Sequence, residues 1–362
     1  MVSDDENLPI EPAVARVLFE ELAGREATED ELDRLPALRE TVRQLTNDPL
    51  HFRQLYASIG HMFFYGNLSS RIDVDICPEQ HQQLLSRIRA SWSALGTATP
   101  HWSVMANPRY LPKELTAELE EEFYSTGRLD VDAVKARLGR LGVALSSGCR
   151  VLDFGCGLGR LGQHLSADFQ SYCGVDVSSP HLDYARGRLT GLGRGNFRLV
   201  PIEDFLAWPP SHERFDLVIS LLTLQHNPPP LISTLFRRLI ASIAPGGAAY
   251  VQLPTFLHDY TFDAANYIAH PRPVGEMEMH AFPMHLALAT IREEGCEILE
   301  VVTDGRVGSM GISSGFVVRR PRVAPPHRLG LASRLRRLLG RSSSSGASDK
   351  SAGATRTSEA NN

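Results

Sequence analysis

Long apolar runs are missing from this 362-residue sequence, and none approaches the length of a membrane-spanning helix. No secretory leader is expected, because Met1 to Asn7 is acidic where a leader would be basic. Excess positive charge is absent. Lys and Arg number 37 against 42 Asp and Glu, a net charge of −5, so the chain lacks the basic footprint of a nucleic-acid binder. Cysteine is scarce. Cys77, Cys149, Cys156, Cys173 and Cys296 are odd in number and form no Cys-x-x-Cys pair, which fits reduced, buried thiols in a cytoplasmic protein. No His/Cys cluster has metal-ligand spacing, so no metal is expected. What remains, 43% apolar and 22% charged, is the composition of a globular chain with room for one large domain and a smaller one.

The chain is organised around Val151 to Arg160. Val151, Leu152 and Phe154 read as a short buried strand. Gly155, Gly157 and Gly159 allow a tight turn that a ligand can approach closely. Leu158 to Phe169 reads as the following helix, its N-terminal N–H groups aimed at that ligand. A dinucleotide fingerprint wants glycine or alanine three positions after the second glycine. Arg160 stands there instead.

From this point strands and helices alternate. Ser171 to Asp176 is a second strand ending in an acid, followed by a helix opened by Ser179 and Pro180. Phe197 to Val200 and Phe215 to Leu222 are the third and fourth strands. Leu231 to Ile243 is an amphipathic helix stopped by Pro245 to Gly247, and Ala248 to Leu253 is the fifth strand. A helix from Met284 to Glu294 precedes Glu297 to Val302 and Gly315 to Arg319, close enough in sequence to form a hairpin. Repeated βα units imply an α/β fold with a doubly wound, Rossmann-like parallel sheet.

Asp153 to Gly159, the acid at Asp176, Leu224 to Pro228 and Pro245 to Gly247 fall in the order and spacing of four motifs. Over roughly residues 120–320 the chain therefore resembles the class I S-adenosylmethionine-dependent methyltransferases. The resemblance implies a seven-stranded sheet ending in an antiparallel hairpin, with S-adenosylmethionine as cofactor. Its contacts would fall on Asp153, Gly155, Cys156, Gly157, Gly159, Asp176, Val177 and Leu221. Asp176, at the end of the second strand, would accept hydrogen bonds from the ribose hydroxyls. Asp153 would offset the sulfonium and ammonium charges. The usual acid for the adenine amino group falls on Pro201, so Glu203, Asp204 or a backbone group would take that part. Tyr124, just ahead of the first strand, is a further candidate contact, or an aromatic packed on the sheet.

His226 lies on the reactive face, where an imidazole can orient an acceptor or act as general base. Its plain alternative is a loop histidine bonded to backbone. The long loop Pro254 to Pro283 reads as a substrate lid, with His258, Tyr260 and His280 as candidate substrate contacts. The acidic net charge favours a hydroxyl of a small molecule or glycan as acceptor. The rivals are an NAD(P)-dependent oxidoreductase or epimerase, and a non-catalytic methyltransferase-like protein that binds a partner.

Outside this domain the readings are compositional. Residues 1–10 are a flexible start. Residues 11–58 form a small all-helical module resembling those found beside bacterial methyltransferases and glycosyltransferases, suited to docking a protein partner. Residues 59–119 read as a less regular connecting or cap region, punctuated by Trp92, Pro100, Trp102 and Pro108. The methyltransferase domain takes 120–320, and 321–362 is a basic, then Ser-rich, disordered tail. Leu331, Leu335, Leu338 and Leu339 recur there at helical spacing among arginines, a pattern that can touch an anionic membrane surface.

Overall fold

The computed structural model describes residues 71–209, 212–257 and 260–322. The expectations for the 11–58 module, the basic tail and His258 lie outside the described residues. The described residues all fall within one compact unit.

Among the described residues the order begins with α1 (Pro78–Ala98), α2 (Pro100–Val104) and α3 (Ala117–Arg140). Then come β1 (Arg150–Phe154), α4 (Gly162–Asp168), β2 (Ser171–Asp176), α5 (Ser179–Gly191), β3 (Phe197–Pro201) and α6 (Ile202–Ala207). The second half holds β4 (Phe215–Ser220), α7 (Pro229–Ala241), β5 (Ile243–Leu257), α8 (Ala264–Ala269), α9 (Met284–Glu293), β6 (Glu297–Asp304) and β7 (Gly311–Arg319). The seven strands form one sheet in the order β3-β2-β1-β4-β5-β7-β6. Strands β1 to β5 pair in parallel, and β7 runs antiparallel to both β5 and β6. This is the expected doubly wound sheet with its closing antiparallel strands.

Both faces of the sheet are covered, which is why the central strands are apolar along their length. Successive residues of a strand point to opposite faces. Leu152, Val218 and Val251 pack with Leu231, Leu235 and Phe236 of α7. Val151, Leu217 and Tyr250 pack with Val134 and Leu138 of α3 and Leu165 of α4. The strand order reverses between β1 and β4, and a cleft opens there at the carboxyl ends, where ligands of such sheets bind.

Several elements differ from the sequence reading. The region read as less regular contains α1, a 21-residue helix whose Leu84, Leu85, Ile88 and Leu95 are buried. Those positions follow helical spacing, a signal that the tryptophans and prolines around them obscured. Helix α4 begins at Gly162 rather than Leu158, because Gly159 has φ +80° and the chain turns repeatedly before it can coil. Pro245 to Gly247 does not separate a helix from a strand. It sits inside β5 as a bulge, with Phe215 opposite Ile243 and Leu217 opposite Ala248. Strand β4 ends at Ser220, two residues early, and Leu222 leaves it at φ +56°.

Candidate active site

The cleft at the switch point holds about 780 Å³ of atom-free space, part of it open to solvent. Its floor is the glycine turn after β1. Gly155 and Gly157 have φ +78° and +52°. A Cβ on Gly155 would collide with the Thr223 side chain, and one on Gly157 would lie 2.8 Å from Val104. The backbone of the turn is therefore bare toward the cavity, as close approach of a ligand requires. Cys156 also lines the cavity, its thiol pKa pushed up by burial.

Asp176 closes β2 and lines the same space. Its Oδ2 accepts from the Gly157 N–H at 2.8 Å and its Oδ1 from the Ser178 N–H at 2.9 Å. Two backbone donors thus lock the carboxylate in place, and its remaining lone pairs can take a pair of hydroxyls. Val177 and Leu221 also line this cavity.

Other candidates are placed differently. Gly159 faces Ala185 of α5, 3.4 Å from where its Cβ would be, and is outside the cavity wall. Glu203 pairs with Arg89 at 3.0 Å, and Asp204 is exposed. Neither lines the cavity. Strand β3 runs one residue further than expected, pairing Pro201 with Asp176, so Ile202 takes the wall position and the acids turn outward on α6. Tyr124 is buried beneath Arg188, whose guanidinium lies 4.1 Å from the ring centre, and is a packing residue.

Asp153 is behind the wall rather than in it. It is 1% exposed and accepts a hydrogen bond from the Tyr172 hydroxyl at 2.9 Å. Burial pushes its pKa up to about 7, against the opposing effect of the Tyr172 bond. An unfolded chain ionises this group near its ordinary value of 3.8. Between roughly pH 4 and 7 the folded state therefore keeps a proton that the unfolded state has lost, and stability falls as pH rises through that window. Asp153→Asn cannot ionise. The melting temperature of the variant relative to wild type should therefore rise across the same window. Parallel melting curves at every pH would refute this account of Asp153.

Three parts of the wall were not foreseen. Arg160, noted from sequence only as a departure from a dinucleotide motif, lines the cavity and is 7% exposed. Its guanidinium donates to Asp130 at 2.6 Å and to Thr126 at 3.2 Å. Ile88 and Trp92 of α1, with Ser103 and Val104 of α2, form the roof. His181 lines the cavity beside Asp176 and is held by Ser103 Oγ at 2.9 Å. The roof could not be read without knowing that α1 and α2 fold back over the sheet.

His226 is on the opposite wall, in the turn after β4, with the Trp92 ring 5.0 Å away between centroids. Its Nδ1 lies 2.7 Å from the Glu278 carbonyl oxygen, which can only accept, so Nδ1 carries the proton. Burial holds its pKa down at about 4, so the ring is neutral. Its Nε2 lies 3.2 Å from the Gln225 side-chain nitrogen.

The segment bearing Glu278 crosses behind this wall as a strap. The His280 N–H donates to the Gln225 carbonyl at 2.7 Å, and Arg87 of α1 pairs with the Glu278 carboxylate at 3.0 Å. The expected lid residues Tyr260 and His280 are not in the main cavity. Tyr260 Oη is 2.8 Å from His280 Nδ1, and both line a second pocket with Tyr267 and Glu278. Polar side chains withdrawn from solvent seek partners in one another, as the Tyr260 hydroxyl and His280 Nδ1 do here.

A glycine-cradled cleft at the switch point, with an acid at the end of β2 and a sheet closed by an antiparallel strand, defines the class I methyltransferase architecture. Residues 151–247 match a family described as Methyltransferase domain. The chain is similar to ubiquinone biosynthesis O-methyltransferase of Thiobacillus denitrificans, 30% identical over 160 residues, covering 43% of this chain and 67% of that protein. It is similar to the protein of that name in Bordetella pertussis, 31% identical over 160 residues, covering 42% of this chain and 63% of that protein. A trans-aconitate 2-methyltransferase of Variovorax paradoxus is 32% identical over 136 residues, covering 37% of this chain and 49% of that protein. The chain thus spans less than two thirds of the Bordetella relative. It belongs to the class I S-adenosylmethionine-dependent methyltransferase family.

Proposed function

We propose that this protein transfers a methyl group from S-adenosylmethionine to a hydroxyl of a small molecule or glycan. The observation that carries the reading is the shared cavity. The bare turn at Gly155 to Gly157 and the locked Asp176 carboxylate face His226 across it. The cofactor fits this donor set. Asp176 would take its ribose hydroxyls, Val177 and Ile202 would flank its base, and Arg160 would face its carboxylate. Bound there, it supplies a methyl group on a sulfonium, already activated for displacement.

The chain's own part is alignment and proton removal. His226 is neutral, and its Nε2 lone pair is the group that can take an acceptor's hydroxyl proton. To do so it exchanges the Gln225 N–H for that hydroxyl. The apolar roof of Ile88, Trp92 and Val104 limits the access of water to the reacting groups. The O-methyltransferase names of two relatives support a hydroxyl acceptor, and the net charge of −5 supports a small or neutral one. The test is release of S-adenosylhomocysteine by the full chain across a panel of phenols, hydroxy acids and free sugars. Turnover with a hydroxyl-bearing member is expected. Turnover confined to amines or thiols would overturn the hydroxyl assignment.

A further inference from the structure

A run of buried amides connects the strained end of β4 to His226. Leu222 is, among the described residues, the one non-glycine at positive φ, a conformation that an L side chain disfavours. Its N–H donates to Gln252 Oε1 at 2.7 Å. A backbone N–H can only donate, so the orientation of the Gln252 amide is settled, and its nitrogen must face away from Leu222. That nitrogen lies 2.6 Å from Ser313 Oγ and 3.4 Å from Gln225 Oε1. The Gln225 oxygen therefore faces Gln252, and its nitrogen faces His226 Nε2 at 3.2 Å. Nε2 is left as an acceptor. The same conclusion comes independently from the other side of the ring, where the Glu278 carbonyl demands a proton on Nδ1. Gln252 is wholly buried and Gln225 is 4% exposed, so neither amide has water as an alternative partner.

We propose that Gln252 is a positioning residue which, through Gln225, holds His226 as its Nδ1–H tautomer with Nε2 kept as a hydrogen-bond acceptor. The inference deepens the reading of His226 as the base and rests on it for its catalytic meaning. The tautomer itself can be read without turnover. The Leu222 backbone is the origin of the chain and Gln252, on β5, is its anchor. Ser313 of β7 holds the anchor from the far side, so the closing antiparallel strand takes part in setting the site.

The experiment is nitrogen NMR of the full chain labelled with ¹⁵N-histidine, at pH 7, with saturating S-adenosylhomocysteine. The His226 signals are identified by their loss in His226→Asn. Wild type should show a neutral ring protonated at Nδ1. Gln252→Leu removes both the acceptor for the Leu222 N–H and the N–H that holds the Gln225 oxygen. Without that anchor Gln225 no longer keeps its N–H on Nε2, so the Nε2 signal should move toward that of a nitrogen without a hydrogen bond. Gln225→Met removes the donor without adding charge, so Nδ1 should stay protonated on the Glu278 carbonyl while the Nε2 signal moves to that of a nitrogen without a hydrogen bond. Affinity for S-adenosylhomocysteine reports whether each variant is folded. Wild-type His226 signals in either folded variant would overturn the proposal. If the signals shift as expected but His226→Ala keeps full turnover, positioning stands and the base assignment fails.

Discussion

Replacing His226 with alanine lowers turnover by about 10²–10⁴-fold, the usual worth of a general base, while binding of S-adenosylhomocysteine survives. The expectation comes from the placement of a neutral imidazole across the cavity from the glycine turn. The low pKa shapes the result as well. A base titrating near pH 4 is already deprotonated throughout the neutral range, so His226 gives the rate no acid limb near pH 6 or 7. The substitution carries a structural cost. It leaves the Glu278 carbonyl and the Gln225 amide buried without their ring partner, a loss of roughly 1–3 kcal/mol. Melting temperature therefore falls in the variant, and affinity for S-adenosylhomocysteine separates that fall from lost chemistry. Wild-type kcat, measured with an acceptor from the panel, would return His226 to the role of a loop histidine bonded to backbone.

Asp176→Ala is the second large effect. Both carboxylate oxygens are held by backbone donors, at 2.8 and 2.9 Å, so the side chain is set before any ligand arrives. Hydrogen bonds to a charged acceptor are worth about 1.5–3 kcal/mol, which is roughly ten- to hundredfold in Kd. The glycine turn loses an anchor at the same time, because the Gly157 N–H loses its partner. Calorimetric titration with S-adenosylhomocysteine should show the weakening, and an unchanged Kd would remove Asp176 from the cofactor site.

The parts of this site that sequence made legible are local in the chain. The turn at Gly155 to Gly157 and the acid at Asp176 belong to consecutive βα units, where order in sequence is order in space. Apolar runs marked the central strands for the same reason: both faces of the sheet are covered. The misplacements have a common physical source, a decision made by contacts far away in sequence. One extra residue in β3 moved the wall position from Glu203 to Ile202. Asp153 turned to Tyr172 on the neighbouring strand. Tyr260 and His280 found each other across twenty residues of chain, and the roof came in part from a helix some sixty residues ahead of the glycine turn. The orientation of His226 depends on amides from two elements and a carbonyl from a third, which no local pattern records.

The most direct measurement is a pair of titrations of the full chain, one with S-adenosylhomocysteine and one with NAD, followed by calorimetry and by melting temperature. A nucleoside-binding acid at the end of β2 is common to both ligand classes, so the acid alone does not decide between them. Arg160, standing where a dinucleotide motif needs a small residue, does. The account predicts saturable binding of S-adenosylhomocysteine with a rise in melting temperature, and no response to NAD. A rise with NAD and none with S-adenosylhomocysteine would contradict it.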